Sequence, residues 1–292
     1  CLRESIVHPA NLTFKLPDNV SFEEGALVEP LAIGVHSVKK ARVSPGDTAL
    51  VLGAGTIGLV TALAAIAGGC SHVIVADAKQ EKLDFIRKNY DARISTFNIT
   101  SGDLKEYVYQ QNPQGVNIVF EASGATRAIL STTSFLAPGG KVVLIGMPQE
   151  PAPIDIVEAQ CKEIEFLTIF RYANVYDRAI KYIASGQINV KPLITHRFDL
   201  KDVVKAFEFA STMPGDAIKI MQRALKEFRI DGVKTTVSLH KKILKDTYFR
   251  TGNIDTQFIK NRLDVYEAAP KDTKDMSKEQ LASTISESMY FA

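Results

Sequence analysis

Residues 48–77 read TALVLGAGTIGLVTALAAIAGGCSHVIVAD, and this stretch predicts the fold of the chain. A short apolar run at 49–52 leads into three glycines, a helical stretch rich in alanine follows, and a second apolar run ends in an aspartate. A G-x-G-x-x-G turn between a strand and a helix is typical of dinucleotide-binding folds. The three glycines are Gly53, Gly55 and Gly58.

Each glycine of this turn has a separate predicted role. Gly53 permits the sharp turn, Gly55 lets the backbone approach a pyrophosphate, and Gly58 lets the helix pack closely on the strand. The free N–H groups at the start of the helix, with the helix dipole behind them, then bind the anion. Two alternatives are a buried strand–helix–strand unit that binds no ligand, and a transmembrane helix over the uncharged residues 49–67.

The aspartate that closes the second apolar run indicates which dinucleotide is bound. Asp77 lies nineteen positions after Gly58. A carboxylate about 20 residues beyond the turn is expected to accept hydrogen bonds from an adenosine ribose. A negative charge at this place would repel the additional phosphate of NADP, so the sequence predicts a preference for NAD.

The composition excludes several classes of protein. The chain has 292 residues, of which 46% are hydrophobic, and its net charge of +2 indicates neither a nucleic-acid nor a membrane-surface partner. Its three cysteines and five histidines form no C-x-x-C pair and no C/H cluster, so we predict no metal site and no disulfide framework. This cysteine usage fits a reducing, cytoplasmic compartment.

Strands and helices continue to alternate after Asp77, which predicts an α/β fold with a doubly wound parallel (Rossmann) sheet. In such sheets the ligand lies beyond the carboxyl ends of the strands. Three strands are predicted at 49–52, 116–121 and within 141–148, and the turns after Leu52, Glu121 and Ile145 should therefore surround the cofactor. The candidates for its nicotinamide end are Ser123, Gly124 and Gly146. Further helices are predicted at 82–90, 104–111, 127–136, 176–185 and 200–210, and further strands at 164–172 and 217–221.

Two helices are predicted before the glycine-rich turn. Ser21 and Glu24 have the spacing of a capping box at the start of the first. Glu29 lies at the start of the second, which should end near Arg42. His36 on this helix is interpreted as a core or capping residue, because no second metal ligand lies nearby in the sequence.

Arg171 and Tyr172 lie at the end of the strand predicted for 164–172, at the carboxyl edge of the sheet. A guanidinium group beside a cofactor can bind the oxygens of a substrate. An ordinary surface arginine is an equally good interpretation of Arg171 from the pattern alone.

Six segments of the sequence resemble one known family. They read GALVEPLAIGVHSV, VLGAGTIGLV, EASGA, GGKVVLIG, FRYANVY and INVKPLITHRFDL. Together they resemble the zinc-dependent medium-chain dehydrogenases, specifically the sorbitol/xylitol (polyol) dehydrogenase branch, over residues 1–221. The resemblance implies hydride transfer from a secondary alcohol to NAD, a zinc ion that polarises the alcohol, and a possible homo-oligomer along the edge of the coenzyme domain at 142–145 and 164–170. An ordinary core strand is an equally good interpretation of those two segments.

The resemblance carries over to individual residues where the positions match. Glu29 matches an acid near the catalytic zinc, and Arg171 with Tyr172 matches a pair on the substrate side. Thr56 stands where the family usually has proline, which should only loosen the turn. The residues implied to bind NAD are Gly53, Gly55, Thr56, Ile57, Gly58, Asp77 and Lys82.

The resemblance also implies that the zinc ligands lie in a GroES-like domain before residue 1, which we expect to be absent from this chain. Catalysis by the chain alone is then not expected, and the alternative is a non-catalytic NAD(H)-binding module or a fusion fragment. The predicted domains are a catalytic-domain remnant at 1–30, the dinucleotide-binding domain at 31–168 and a return segment of the catalytic domain at 169–221.

Residues 221–266 resemble a second family, the C-terminal end of biotin carboxylase, in RALKEFRIDGVKTT and FRTGNIDTQFI. This resemblance implies a small α+β extension at 222–266 that could dock on a carboxylase but lacks the phosphate loop of that enzyme. A join of two enzymes inside AIKIMQRALKEF indicates a gene fusion, a recombinant fragment or an assembly error. Residues 267–292 are polar with little periodicity and are predicted to be disordered.

Overall fold

The computed structural model describes residues 10–199 and 202–211 of the chain. The chain divides into two units after Arg197, and each unit is described by itself. The strand predicted at 217–221 and the extensions predicted at 222–266 and 267–292 lie outside the described residues.

The described part of the first unit contains one sheet of six parallel strands. They are β1 (Thr48–Leu52), β2 (His72–Asp77), β3 (Ile94–Asn98), β4 (Val116–Glu121), β5 (Leu136–Leu144) and β6 (Glu165–Thr168). Their spatial order is β3-β2-β1-β4-β5-β6, so the order reverses at β1, which pairs with both β2 and β4. The predicted doubly wound α/β sheet is confirmed.

Helices connect these strands. The first unit contains α1 (Phe22–Ala26), α2 (Val28–Ala41), α3 (Thr56–Gly68), α4 (Gln80–Asn89), α5 (Leu104–Gln111), α6 (Thr126–Ser131), α7 (Ile156–Cys161) and α8 (Tyr176–Ala184). The second unit contains α9 (Val203–Ser211). The transmembrane alternative for 49–67 is wrong, because this stretch divides between β1 and α3. Within the described ranges, none of the helices has the length and apolar character needed to span a bilayer.

The core lies on both faces of the sheet, because successive residues of a strand point to opposite sides. Val51 and Phe120 are buried on one face, in a cluster with residues of α2, α3 and α8. Leu50 and Val119 are buried on the other face, together with Val108 of α5. Burial of each such side chain contributes about 1.5–3 kcal/mol, so the central strands supply much of the stability of this unit.

The two helices before β1 form as the sequence predicts. The Glu24 N–H donates to Ser21 Oγ at 3.2 Å, and the Ser21 N–H donates to Glu24 Oε2 at 3.0 Å, which completes the capping box. α2 packs closely on α3 at Gly34, where a Cβ atom would lie 2.7 Å from the carbonyl oxygen of Val60. His36 on α2 has a buried Nδ1 atom, as expected of a residue that faces the core.

Several elements of the structure differ from those that the sequence predicts. The helix predicted at 127–136 ends at Ser131, a 3₁₀ turn follows, and Leu136 already pairs within the sheet as the first residue of β5. The strand predicted at 164–172 ends at Thr168, and Arg171 beyond it has a left-handed φ of 58°. β3 was not predicted, because its residues ISTFN mix polar and apolar side chains at an edge of the sheet where four of the five are only partly buried.

Candidate functional site

Three strands of the sheet bring their carboxyl ends together at one place. Gly53 follows β1, Ser123 and Gly124 follow β4, and Gly146 lies just beyond β5. A Cβ atom at Gly53 would lie 3.1 Å from the Ser123 Cβ, and one at Gly146 would lie 2.1 Å from the Gly124 backbone nitrogen. The structure therefore brings these four predicted residues into direct contact. Gly146 has no room for a side chain, and a Cβ atom at Gly53 would require Ser123 to shift.

Gly58 and Gly55 have different roles in the glycine-rich turn. A Cβ atom at Gly58 would lie 1.8 Å from the carbonyl oxygen of Gly53, so α3 can start here only without a side chain at position 58. A Cβ atom at Gly55 would meet no protein atom within 4 Å. The fold thus requires Gly58, whereas the space in front of Gly55 is open to a ligand.

The start of α3 offers unpaired backbone donors to an anion. Gly55 is the N-cap residue and makes no side-chain capping hydrogen bond, so it does not occupy the N–H groups of the first helical turn. Thr56 and Ile57, which the resemblance places against the cofactor, are the first two residues of this turn. Phosphate groups bind at such helix starts because the N–H groups and the helix dipole both favour negative charge.

Asp77 lies at the carboxyl end of β2 and contacts the glycine-rich turn. Its Oδ2 accepts a hydrogen bond from the Ala54 N–H at 2.7 Å, and its Oδ1 accepts one from the Lys79 N–H at 2.9 Å. The Nζ of Lys82 lies 3.5 Å from Oδ2, and the Asp77 side chain is 12% exposed. The predicted acid and the predicted base are therefore adjacent, and the acid is held in place before any ligand arrives.

Glu121 organises the loop after β4, a role that the sequence reasoning missed. Its side chain is fully buried, and its Oε1 accepts hydrogen bonds from the Ser123 N–H at 2.8 Å and the Gly124 N–H at 3.0 Å. The Ser123 hydroxyl also donates to this oxygen. Burial raises the pKa of Glu121, and the hydrogen bonds from Ser123 and Gly124 act in the opposite direction. The available signal was an acid at the end of an apolar strand, directly before a Ser-Gly turn.

Two of the three residues predicted on the substrate side lie together. The hydroxyl oxygens of Tyr172 and Tyr176 are 3.0 Å apart. Burial raises the pKa of Tyr172, and the hydrogen bond with Tyr176 and the negative charge of the nearby Glu29 carboxylate raise it further. Arg171 is exposed, and its guanidinium carbon lies 5.4 Å from the centre of the Phe170 ring.

The described residues do not fit a zinc ion. Across 10–199 and 202–211, no three His, Cys, Asp or Glu side chains lie close enough together to hold a metal. A catalytic zinc needs about three protein ligands and one open position. The described part of the chain therefore supplies no ligand set for the zinc that the resemblance implies.

Known protein families match two separate parts of the chain. Residues 56–185 match the zinc-binding dehydrogenase family. A D-xylulose reductase from Morganella morganii is 51% identical over 212 residues, which cover 72% of this chain and 62% of that protein. These matches confirm the resemblance to the polyol dehydrogenase branch. The chain spans less than two thirds of the length of this relative.

Solved structures show the same fold. An oxidoreductase/dehydrogenase of unknown specificity from Escherichia coli is 35% identical, with a TM-score of 0.65 over 69% of this chain and 57% of its own. A protein from Sinorhizobium meliloti 1021, solved with NADP bound, is 27% identical, with a TM-score of 0.61 over 66% of this chain and 57% of its own.

The second resemblance is also confirmed. The biotin carboxylase C-terminal domain matches residues 202–261. This match begins before the position near 221 at which the sequence predicts the join, and it includes α9. The boundaries of the predicted domains stay predictions.

Burial of the Glu121 carboxyl gives a testable pH dependence. Its pKa is raised above that of the unfolded chain, so its contribution to stability is present below the unfolded pKa and is lost as pH rises through the folded pKa. Glu121→Gln removes this titration and keeps an oxygen that can accept from Ser123 and Gly124. We expect the wild type to lose stability relative to the variant as pH rises from about 4 to 7, measured as the difference between their free energies of unfolding in urea.

The control for this prediction is Glu81→Gln, which changes an exposed carboxyl on α4. Its free energy of unfolding should follow that of the wild type across the same pH range. Parallel curves for the wild type and the Glu121→Gln variant would contradict the prediction.

Proposed function

We propose that this chain binds NAD and supplies the coenzyme-binding part of an NAD-dependent polyol dehydrogenase. In that reaction the secondary alcohol loses its hydroxyl proton to solvent and a hydride passes from its carbon to the nicotinamide ring, so that a ketone forms. The observation that carries the proposal is the contact between the Asp77 carboxylate and the glycine-rich turn at the carboxyl end of the central strands. The match to the zinc-binding dehydrogenase family supports it.

The adenosine half of NAD would lie along the glycine-rich turn. The N–H groups at the start of α3 would bind the pyrophosphate, and the open space before Gly55 would let it approach the backbone. Asp77 would accept hydrogen bonds from the ribose hydroxyls, with Lys82 at its side. The carboxylate disfavours the 2′-phosphate of NADP, which is the basis for proposing NAD as the coenzyme.

The nicotinamide half would lie against Ser123, Gly124 and Gly146. Glu121 would keep this loop in one conformation, because its carboxylate accepts hydrogen bonds from the backbone N–H groups of Ser123 and Gly124. A preorganised loop costs less conformational entropy when the ring binds. Glu29 and Tyr172 would lie on the substrate side, where their oxygens can hydrogen bond to a polyol, and Arg171 is a further candidate there.

A homo-oligomer along the edge of the sheet is a further part of the proposal. β6 pairs with β5 on one side and is the last strand in the order of the sheet. Its other edge would accept a strand from a second copy. The cytoplasmic location, and docking of residues 222–266 on a carboxylase, stay predictions from the sequence.

A non-catalytic NAD(H)-binding module is the second candidate. The observation that favours it is the missing zinc ligand set among the described residues. We expect the chain with added zinc, NAD and xylitol to form NADH no faster than the same solution without protein, measured by absorbance. Turnover above that background, lost in an Asp77→Asn variant, would exclude the module.

Replacement of Asp77 tests the coenzyme preference. Asp77→Asn keeps the size of the side chain and one acceptor oxygen, which can bind the Ala54 N–H but not the Lys79 N–H as well, and it removes the charge. Hydrogen bonds to charged groups contribute about 1.5–3 kcal/mol, so we expect NADH to bind about tenfold or more weakly and NADPH to bind relatively better, measured by coenzyme fluorescence. Asp84→Asn, at a carboxyl on α4 that is 58% exposed, is the matched control and should bind both as the wild type does.

Alanine at two glycines separates binding from folding. At Gly55 the added Cβ meets no protein atom, so we expect Gly55→Ala to keep the unfolding midpoint of the wild type but to lose NADH binding. At Gly58 the added Cβ collides with the Gly53 carbonyl oxygen, so Gly58→Ala should lose both. Normal NADH binding by the Gly55→Ala variant would mean that no pyrophosphate lies at this turn.

A further inference from the structure

A cavity lies between α2, α3 and α8, away from the glycine-rich turn. It is lined by residues of these helices and of the segment after α2, among them Ala64 and Gly68 near the end of α3. Gly68 is twelve residues beyond Thr56, which is about 18 Å along a helix. A ligand here would therefore not touch the proposed coenzyme site.

The volume of the cavity limits the size of its ligand. It measures about 230 Å³. A cavity of about 150 Å³ is enough to hold benzene, whereas sites for drug-sized ligands start at about 300 Å³. The space therefore fits one ring, or a short hydrocarbon chain, with a small polar group attached.

The inner wall of the cavity is apolar. It is formed by Val35, Val38 and Val43 together with Ala64, and the ring of Tyr182 also contributes. Gly68 packs directly against this wall, since a Cβ atom there would lie 2.6 Å from Val38 Cγ1. Such a wall favours a hydrocarbon group over water.

The remaining lining is cationic. It consists of Lys39, Arg42 and Arg178. Arg42 forms an ion pair with Glu165, but Lys39 and Arg178 have no hydrogen-bond or ion-pair partner within the residues that the structure describes. Positive charge in this region also acts on His36, one turn before Lys39: burial lowers the pKa of His36, and the charges of the neighbouring lysines lower it further.

We propose that this cavity binds a small organic monoanion, a carboxylate carried on a ring or a short hydrocarbon group. The apolar wall would bury the hydrocarbon part, and the carboxylate would pair with Arg178 and Lys39. An arginine can bind a carboxylate through two parallel hydrogen bonds, which gives the pairing a defined geometry. The proposal does not rest on coenzyme binding by the chain.

The first experiment places a reporter in the wall of the cavity. The chain contains no tryptophan, so Tyr182→Trp places a single tryptophan at the site, which can be excited selectively over the tyrosines. Benzoate is the probe, and we expect a saturable change in tryptophan fluorescence when it is added to the full chain. Tyr107→Trp, on α5 and outside the cavity, is the control and should show no saturable change.

Two related molecules test the proposed chemistry. Benzamide has the size of benzoate without its charge, and inorganic phosphate has charge without a hydrocarbon group. Both should bind at least tenfold more weakly than benzoate, because each lacks one of the two interactions. Equal binding of benzamide would overturn the assignment of an anion, and equal binding of phosphate would overturn the role of the apolar wall.

Charge-neutral variants test the two cations in the Tyr182→Trp background. Arg178→Gln and Lys39→Gln should each weaken benzoate binding about tenfold, the effect of one charged hydrogen bond. Lys181→Gln removes a charge from the same helix as Arg178 but outside the cavity, and should change binding less than twofold. Equal effects of all three would indicate general charge attraction and overturn the site, provided that the unfolding midpoints agree with that of the parent.

Discussion

The turn between β1 and α3 closes only because residue 58 has no side chain. A Cβ atom at Gly58 would lie 1.8 Å from the carbonyl oxygen of Gly53, a distance that no rotation of a side chain can relieve. The close approach lets α3 start directly above the end of β1. Everything proposed about the coenzyme depends on that placement, since it directs the first N–H groups of α3 to the carboxyl edge of the sheet.

Two carboxylates hold the backbone on either side of this turn. Asp77 accepts from the Ala54 N–H within the glycine-rich turn, and Glu121 accepts from Ser123 and Gly124 in the neighbouring loop. A buried N–H group without a partner costs about 1–3 kcal/mol, so each acid excludes alternative loop conformations. The site thus has its shape before a ligand arrives, although most of its walls are loops rather than strands or helices.

The sequence predicts the local parts of this site and not its long-range contacts. The glycine spacing and Asp77 fall within one strand–helix–strand unit, where local chemistry determines the conformation. Glu29 and Tyr172 lie near each other although they are 143 positions apart in the sequence, and a local sequence pattern cannot predict this proximity. Glu121 was missed for a different reason: its burial depends on the loops that fold over it, whereas the pattern shows only an acid at the end of a strand.

Asp77 binds the glycine-rich turn and is also the residue proposed to bind the ribose, and this limits how the coenzyme preference could change in evolution. A switch toward a phosphorylated ribose favours loss of the negative charge, yet the same carboxylate oxygen binds the Ala54 N–H. Asparagine would remove the charge and still offer an oxygen to that donor, whereas alanine or a long basic side chain would leave the donor without a partner. A replacement at position 77 would therefore affect both the coenzyme preference and the conformation of the turn. Only a few replacements could change the preference and keep the turn intact.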